Sequence, residues 1–351
     1  MTTVHELATN RSVLVCCGSG GVGKTTTAAA LAVEAAARGR RACVVTIDPA
    51  RRLADALGLG ELTNEPKRVD GPWPGELWAL MLDTKSTFDA IVTKYASSPE
   101  QAERIVANRL YRNISGALSG TQEYMAMEKL HELHSTGQFD VIVIDTPPTR
   151  NALDFLDAPR RITRFLDNRL FRLLVMPTST YLRAVGAATQ RILRTIARVV
   201  GAEVVDDAVA FFEAFEGMEQ GFRDRAQAVI RLLSDDATAF IVVASPRRDA
   251  ANEAVFFAEK LVEAGLGVDA IVVNRMQPAF GDTDPALPKT ASSALRLLAQ
   301  NRADFSALAT SERKELDALV ATANGAAIAY VPVFKGDVHD IDGLDAVRAH
   351  L

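Results

Sequence analysis

The sequence of 351 residues is poor in cysteine and contains no C-x-x-C pair. Its three cysteines are Cys16, Cys17 and Cys43, and each lies in a short apolar run typical of a core strand. Because neighbouring residues of a strand point to opposite faces of the sheet, Cys16 and Cys17 are not placed to share a ligand. The sequence therefore disfavours disulfides, an iron–sulfur cluster and a cysteine-bound zinc ion, and it fits a reducing compartment.

Long apolar runs and an excess of basic residues are also missing. No uninterrupted apolar stretch approaches the roughly 20 residues of a membrane-spanning helix. The first residues have neither the basic nor the apolar segment of a secretory signal. The net charge of −5 argues against a general nucleic-acid or anionic-membrane surface. We therefore expect a cytoplasmic protein with no integral membrane segment and no nucleic-acid partner.

The most informative stretch is glycine-rich and lies between an apolar run and a helical pattern. It fits G-x-x-x-x-G-K-S/T, with Gly18 and Gly23 as the glycines and Lys24 and Thr25 after them. Glycines let backbone N–H groups converge on an anion, and the following helix N-terminus adds partial positive charge. Lys24 can then contact the β- and γ-phosphates of ATP, and the Thr25 hydroxyl can bind Mg²⁺. The predicted cofactor-binding loop consists of Gly20, Gly21, Val22, Gly23, Lys24, Thr25 and Thr26.

Apolar, β-branched runs alternate with helical patterns along most of the chain. Strands are predicted before the glycine-rich loop and at 41–47, 77–82, 139–145, 239–244, 270–274 and 327–331. This alternation is typical of an α/β P-loop NTPase fold, with a mostly parallel sheet flanked by helices. Between 152 and 234 there is almost no strand pattern. We predict a single P-loop ATPase domain over 1–351, with a helical subdomain inserted at about 97–135 and 152–235, and a loop over 60–75.

Two aspartates end predicted strands, at the edge where an open α/β sheet binds its ligand. Asp145 has the form of a Walker-B aspartate that holds Mg²⁺ through a water molecule. Asp48 is positioned to orient or polarise the attacking water. The alternative for both residues is a turn or helix cap, which is common after strands. We predict catalytic roles for Asp48 and Lys24 and a metal site at Thr25 and Asp145.

Segments 18–26, 46–51 and 144–153 together resemble the ArsA-type anion-transporting ATPases and the related guided-entry ATPases. Those proteins belong to the deviant Walker A branch of P-loop enzymes. The resemblance implies that Asp48 belongs to switch I and acts on the hydrolytic water, and that residues 145–151 form switch II. It also implies that ATP and Mg²⁺ are the cofactors.

The same resemblance implies where the base and the partner bind. Asn274 is expected to read the adenine, and the base is expected to lie against Pro332, Val333 and Phe334. The family forms a nucleotide-sandwich dimer or a fused tandem. Since this sequence has one phosphate loop, we expect a second ATPase subunit, either a paralogue or a second copy.

Two positions depart from the family pattern. Ser19 stands where the family has a signature lysine that reaches across the dimer to the opposing nucleotide, and a serine has neither the charge nor the length. Three explanations stay open. A lysine-bearing paralogue completes the site, which we favour; or Arg51, Arg52 or Arg150 substitutes; or the chain turns ATP over slowly as a sensor. In the second departure, Arg150 and Asn151 replace Gly-His.

The resemblance assigns client binding to the helical region. The Phe/Met stripe from Phe211 to Leu233, with Met125 and Met127, suits a groove for a hydrophobic protein client. The alternative is that the stripe packs the helices against each other and the sheet. The helical region has no cysteine for a thiolate arsenite site, so metalloid pumping is disfavoured. Two functions follow: an ATPase that couples the nucleotide state of a dimer to client binding or targeting, or an ATP-holding scaffold subunit with little hydrolysis of its own.

Overall fold

A computed structural model describes residues 3–48, 50–109, 111–112, 121–147, 160, 164, 201–278, 288 and 290–351. The chain divides into two compact units. One unit consists of Met1–Met81, Leu133–Leu153 and Ser234–Leu351, and the other of Leu82–Glu132 and Asp154–Leu233. Arg150, Asn151 and much of the predicted helical segment 152–235 lie outside the described residues.

The described residues of the first unit contain one sheet of eight strands. The strands are β1 (Val13–Cys17), β2 (Arg41–Thr46), β3 (Lys67–Val69), β4 (Glu76–Met81), β5 (Val141–Asp145), β6 (Thr238–Ala244), β7 (Ala270–Met276) and β8 (Ala327–Pro332). Their spatial order is β3-β4-β2-β5-β1-β6-β7-β8, and every pair except β3-β4 is parallel. Strands β1, β5 and β6 are buried at every residue, as expected of parallel strands covered on both faces. The predicted α/β fold with a mostly parallel sheet is confirmed.

The prediction of a loop over 60–75 is wrong in its centre. Residues 67–69 form β3, which pairs antiparallel with β4 at the edge of the sheet. Only Val69 of this strand is buried, while Lys67 and Arg68 are exposed. A strand of three residues with one apolar member has no detectable periodicity, and its charged side chains suit an unpaired edge.

Helices flank this sheet, and the one that follows the glycine-rich loop is almost wholly buried. The helices of the first unit are Val4–Asn10, Lys24–Ala37, Arg52–Ala56, Arg248–Glu263, Ser293–Glu315, Asp317–Thr322 and Ile341–Arg348. The Lys24–Ala37 helix is rich in alanine, whose small side chain lets the helix lie close to the strands. In the part of the chain that the structure describes, no helix combines the length and the apolar character needed to cross a membrane.

Glu34 is a buried carboxylate on the Lys24–Ala37 helix. Arg38 Nε donates to its Oε1 at 2.8 Å, and Arg348 Nη1 donates to its Oε2 at 3.2 Å. His5 Nδ1 lies 3.0 Å from Oε1. Burial by itself would raise the pKa of Glu34, but the bond from Arg38, the His5 ring and the bond from Arg348 lower it below its ordinary value. These contacts attach the first and last helices of the chain to the helix of the glycine-rich loop.

The second unit is helical in its described part, with an aromatic core. Its helices are Thr84–Tyr95, Pro99–Ala107, Ala202–Phe215 and Glu219–Leu233, and Thr121–Thr136 runs from this unit into the first. Aromatic rings pack in succession with centroids 5.1 to 6.5 Å apart; they belong to Phe88, Tyr95, Tyr111, Phe211, Phe215 and Phe222. Met125, Met127 and Met218 are also buried. The stripe considered for a client groove is therefore core packing at these side chains.

Candidate functional site

The glycine-rich loop joins β1 to the next helix at the carboxyl edge of the sheet. Gly18, Gly21 and Gly23 have φ values of +152°, +77° and +98°, which residues with a side chain rarely adopt. A Cβ on Gly18 would lie 2.1 Å from the Val243 carbonyl oxygen, and one on Gly23 would lie 2.2 Å from Asn274 Nδ2. The backbone conformation and the close neighbours together require glycine at these two positions.

Lys24 begins the helix and turns back over the loop. Its side chain is buried, and Nζ donates to the Ser19 carbonyl oxygen at 2.8 Å. Burial lowers the pKa of Lys24, and the negative charge of Asp145 raises it in part. A buried ammonium group with a carbonyl oxygen as its hydrogen-bond partner is poised to stabilise an anion that enters the loop.

Asp145, at the end of β5, accepts two hydroxyl hydrogen bonds on one oxygen. Thr25 Oγ1 donates to Oδ2 at 2.7 Å, and Thr46 Oγ1 donates to the same atom at 2.9 Å. The other oxygen, Oδ1, is buried and has no hydrogen-bond partner within the described ranges. Burial raises the pKa of Asp145, while Thr25, Thr46 and Lys24 lower it in part. An unpaired buried carboxylate oxygen beside a threonine hydroxyl fits a hard cation such as Mg²⁺.

Asp48, just after β2, makes the contacts of a turn residue in this structure. Its Oδ1 accepts from the Ala50 backbone N–H at 2.9 Å, and its own N–H donates to Thr46 Oγ1 at 3.2 Å. Arg52 Nη1 lies 3.9 Å from Asp48 Oδ2. The turn role that the sequence left open is therefore present, and the same residue also lines the cavity beside the glycine-rich loop.

That cavity has a volume of about 770 Å³ at the carboxyl edge of the sheet, within the usual range for ligand sites. Of the predicted site residues, it brings together Gly21, Gly23, Lys24, Thr25, Thr26, Asp48, Asn274, Pro332, Val333 and Phe334. Gly20 and Val22 line a neighbouring cavity instead, and Asp145 lies beneath Thr25 without lining either one. The first cavity is therefore lined by residues from both the N-terminal and the C-terminal parts of the chain.

Asn274 braces the loop in addition to lining the cavity. Its Nδ2 donates to the Val22 carbonyl oxygen at 2.9 Å, and its Oδ1 accepts from the Arg275 N–H at 2.9 Å. One N–H of the amide remains for another acceptor. Sequence reasoning considered only contact with a base and missed this bond to the loop.

Two threonines were also missed. Thr46 lies directly opposite Asp145 in the β2-β5 register, which brings its hydroxyl to the carboxylate. Thr146 Oγ1 donates to the Cys16 carbonyl oxygen at 2.8 Å and lines the cavity. The available signal was a polar residue at the end of each buried apolar run.

Ser19 lines the second cavity, which has a volume of about 640 Å³ and lies on the other side of the loop. The two cavities share Gly21 and Arg275. Of the arginines considered as substitutes for a lysine at position 19, Arg52 lines the first cavity, whereas Arg51 is exposed and lines neither.

Comparison with known proteins supplies the remaining identification. The chain is 22% identical over 272 residues to a putative arsenical pump-driving ATPase 1 of Aquifex aeolicus, an alignment that covers 76% of this chain and 63% of that protein. It is 26% identical over 276 residues to ATPase GET3 of Malassezia globosa, covering 78% and 76%. Against ATPase get3 of Aspergillus terreus it is 25% identical over 261 residues, covering 74% and 71%. The aligned part thus spans less than two thirds of the Aquifex protein. The family model of the anion-transporting ATPases (ArsA_ATPase) matches residues 11–346, and this chain therefore belongs to that family.

Proposed function

We propose that this protein binds ATP with Mg²⁺ and hydrolyses it to ADP and phosphate. The observation that carries the proposal is the cluster beneath the loop, where Thr25 and Thr46 donate to one oxygen of Asp145 and leave the other oxygen unpaired. Family membership supports an ATPase. The cofactor-binding residues are those of the loop with Asn274, Pro332, Val333 and Phe334.

Each residue of the cluster has a distinct role in this proposal. Thr25 and Asp145 would hold Mg²⁺, Asp145 through a water molecule; the ion would neutralise charge on the β- and γ-phosphates. Lys24 exchanges its bond to the Ser19 carbonyl for a phosphate oxygen. Asp48 accepts a hydrogen bond from the attacking water and orients it. The water oxygen bonds to the γ-phosphorus as the bond to the β–γ bridging oxygen breaks, and the water proton ends on phosphate.

We also propose that the protein works as a dimer. Ser19 has no charge and lines an open cavity beside the loop, so a side chain from a second subunit has room to approach there. We favour a lysine-bearing paralogue over a second copy of this chain. The free thiols of Cys16, Cys17 and Cys43 support a reducing, cytoplasmic location.

The second candidate function is an ATP-holding scaffold subunit whose partner performs hydrolysis. Two observations favour it: the serine at position 19 and the engagement of Asp48 in turn contacts and an ion pair. In this case ATP binding still requires Lys24, but turnover by the chain stays low.

We propose that the helical unit couples the nucleotide state to a hydrophobic protein client. Its described Phe/Met stripe is buried, so the client surface must lie elsewhere in that unit. The three cysteines all belong to the first unit, so we do not propose an arsenite site for this chain.

Phosphate release and ATP affinity, measured with Mg²⁺ for the chain alone and for the complex purified from its source cell, test the proposal. We expect Lys24→Ala and Asp48→Asn to lower turnover about 100-fold or more, because each removes a group that acts on the transferring phosphate. Lys67→Ala, on the exposed edge strand, is the matched control and should keep normal turnover.

Normal hydrolysis by a complex that carries Lys24→Ala or Asp48→Asn would contradict the enzyme proposal. ATP binding that depends on Lys24, with turnover that does not depend on Asp48, would favour the scaffold function.

A further inference from the structure

Arg275 has an unusual backbone conformation next to the glycine-rich loop. Among the residues that the structure describes, it is the only one other than glycine with a positive φ, at +62°. This conformation is unfavourable for a residue with a side chain and persists where the surroundings impose it. Here the Arg275 N–H donates to Asn274 Oδ1, and the same amide donates to the Val22 carbonyl oxygen. The loop and Arg275 are therefore attached to each other through Asn274.

The Arg275 side chain is exposed and borders both cavities. Other arginines nearby have carboxylate partners: Arg52 lies 3.9 Å from Asp48, and Arg247 lies 2.8 Å from Asp249. Within the described part of the chain, no carboxylate pairs with Arg275. Its permanent charge is thus available to a ligand.

The charges around the two cavities differ in sign. The second cavity has Asp249, Glu253 and Glu312 against Arg247 and Arg275, a net negative lining. The first cavity has four Lys and Arg residues against three Asp residues, a net positive lining. An anion in contact with Arg275 is therefore more stable in the first cavity, which Lys24 also lines, than in the second cavity.

We propose that Arg275 contacts the β- or γ-phosphate of the nucleotide bound in the first cavity of the same chain, as a second cation beside Lys24. The inference rests on the proposed binding of ATP. A guanidinium group suits this role because its N–H groups match two phosphate oxygens at once.

Calorimetric titration of the full chain with Mg-ATP and with AMP tests the proposal. Arg275→Gly is the informative variant, because glycine accepts the positive φ while the charge is lost. We expect it to keep the melting temperature, to weaken ATP binding by about 10- to 100-fold and to leave AMP binding nearly unchanged. Arg275→Lys should lie between Arg275→Gly and the wild type, since a lysine keeps the charge without the fork. Arg247→Ala, which removes an arginine from the second cavity alone, is the control and should bind ATP normally.

Unchanged ATP affinity in Arg275→Gly overturns the inference and leaves the proposed ATPase intact. Equal losses for ATP and AMP also overturn it, because they indicate a structural role for the residue. Mixing Arg275→Gly with Lys24→Ala is a further test. Recovery of ATP turnover in the mixture would overturn the inference, since it would mean that Arg275 contacts the nucleotide of the other subunit. Absence of ATP binding by the wild-type chain would overturn both this inference and the proposed function.

Discussion

Burial disfavours the charged form of both Asp145 and Lys24, because it raises the pKa of the carboxyl group and lowers the pKa of the ammonium group. Neither charge is fully compensated by the protein itself: one carboxylate oxygen lacks a hydrogen bond within the described residues, and the ammonium group bonds to a carbonyl oxygen. A bound triphosphate and a divalent cation would compensate both. At the scale of the residue, the apparent defect in hydrogen bonding is what makes the cluster suited to these ligands.

Glu34 is the opposite case, since its partners lower its pKa in the folded chain despite burial. Its stabilising contribution is therefore complete above the unfolded-state pKa, about 4.3, and is lost as the pH falls through the lower folded-state value. We predict that Glu34→Gln lowers the free energy of unfolding by about 1–3 kcal/mol at pH 7, and by much less at pH 3.

Urea unfolding at the two pH values measures this difference. Glu315→Gln, an exposed position on the Ser293–Glu315 helix, is the matched control and should change little at either pH. An equal loss at pH 7 and pH 3 for Glu34→Gln would contradict an electrostatic origin.

The glycine-rich loop is the element on which the site depends. Its Gly18 and the distant Gly39, beyond the far end of the following helix, together separate backbone strain from steric fit. Gly18 has positive φ and a carbonyl oxygen 2.1 Å from where its Cβ would be. Gly39, which follows the Lys24–Ala37 helix, has a φ of +84° with nothing within 4 Å of that point. Of these two glycines, only Gly18 combines an unfavourable backbone conformation with a clash against the backbone of Val243.

We predict that Gly39→Ala costs about 1 kcal/mol of unfolding free energy, the usual penalty for a left-handed alanine. Gly18→Ala should cost more than about 3 kcal/mol, because the Val243 backbone must also move. Chemical denaturation of the two variants measures the difference. Costs within experimental error of each other would show that the close approach of Val243 contributes nothing.

At the scale of the whole molecule, the first unit contains the candidate nucleotide site, and coupling to other molecules is the role that we propose for the helical unit. Ser19 is the position at which the contribution of a second subunit to this site can be tested. If a lysine from a second subunit normally completes the site, a lysine introduced here should let two copies of this chain complete each other.

We predict that Ser19→Lys raises the ATP turnover of the isolated chain about tenfold or more and makes turnover depend on protein concentration, because electrostatic stabilisation of the transferring phosphate is restored. Phosphate release combined with sedimentation in Mg-ATP measures both effects. Ser97→Lys, at an exposed position before the Pro99–Ala107 helix, controls for added charge. No gain in turnover, with tight ATP binding retained, would instead favour the scaffold function.

Much of the fold and the loop of the candidate site could be predicted because their signals are local. Gly18, Gly23, Lys24 and Thr25 lie within eight consecutive residues, and the chemistry of the loop depends on contiguous backbone. The parallel strands were recognisable because burial on both faces demands an unbroken apolar run. Strand β3 could not be found, since its three residues owe their conformation to pairing with β4.

The sequence by itself therefore determined the α/β architecture, the glycine-rich loop and the two aspartates at strand ends. Only the tertiary structure decided which side chains meet around them. Thr46 reaches Asp145 across 99 residues of chain because β2 and β5 are neighbours in register, and Asn274 reaches Val22 across 252 residues. Periodicity reports which face of an element is buried but not which strand lies beside which, so contacts that depend on strand order appear only in the folded chain.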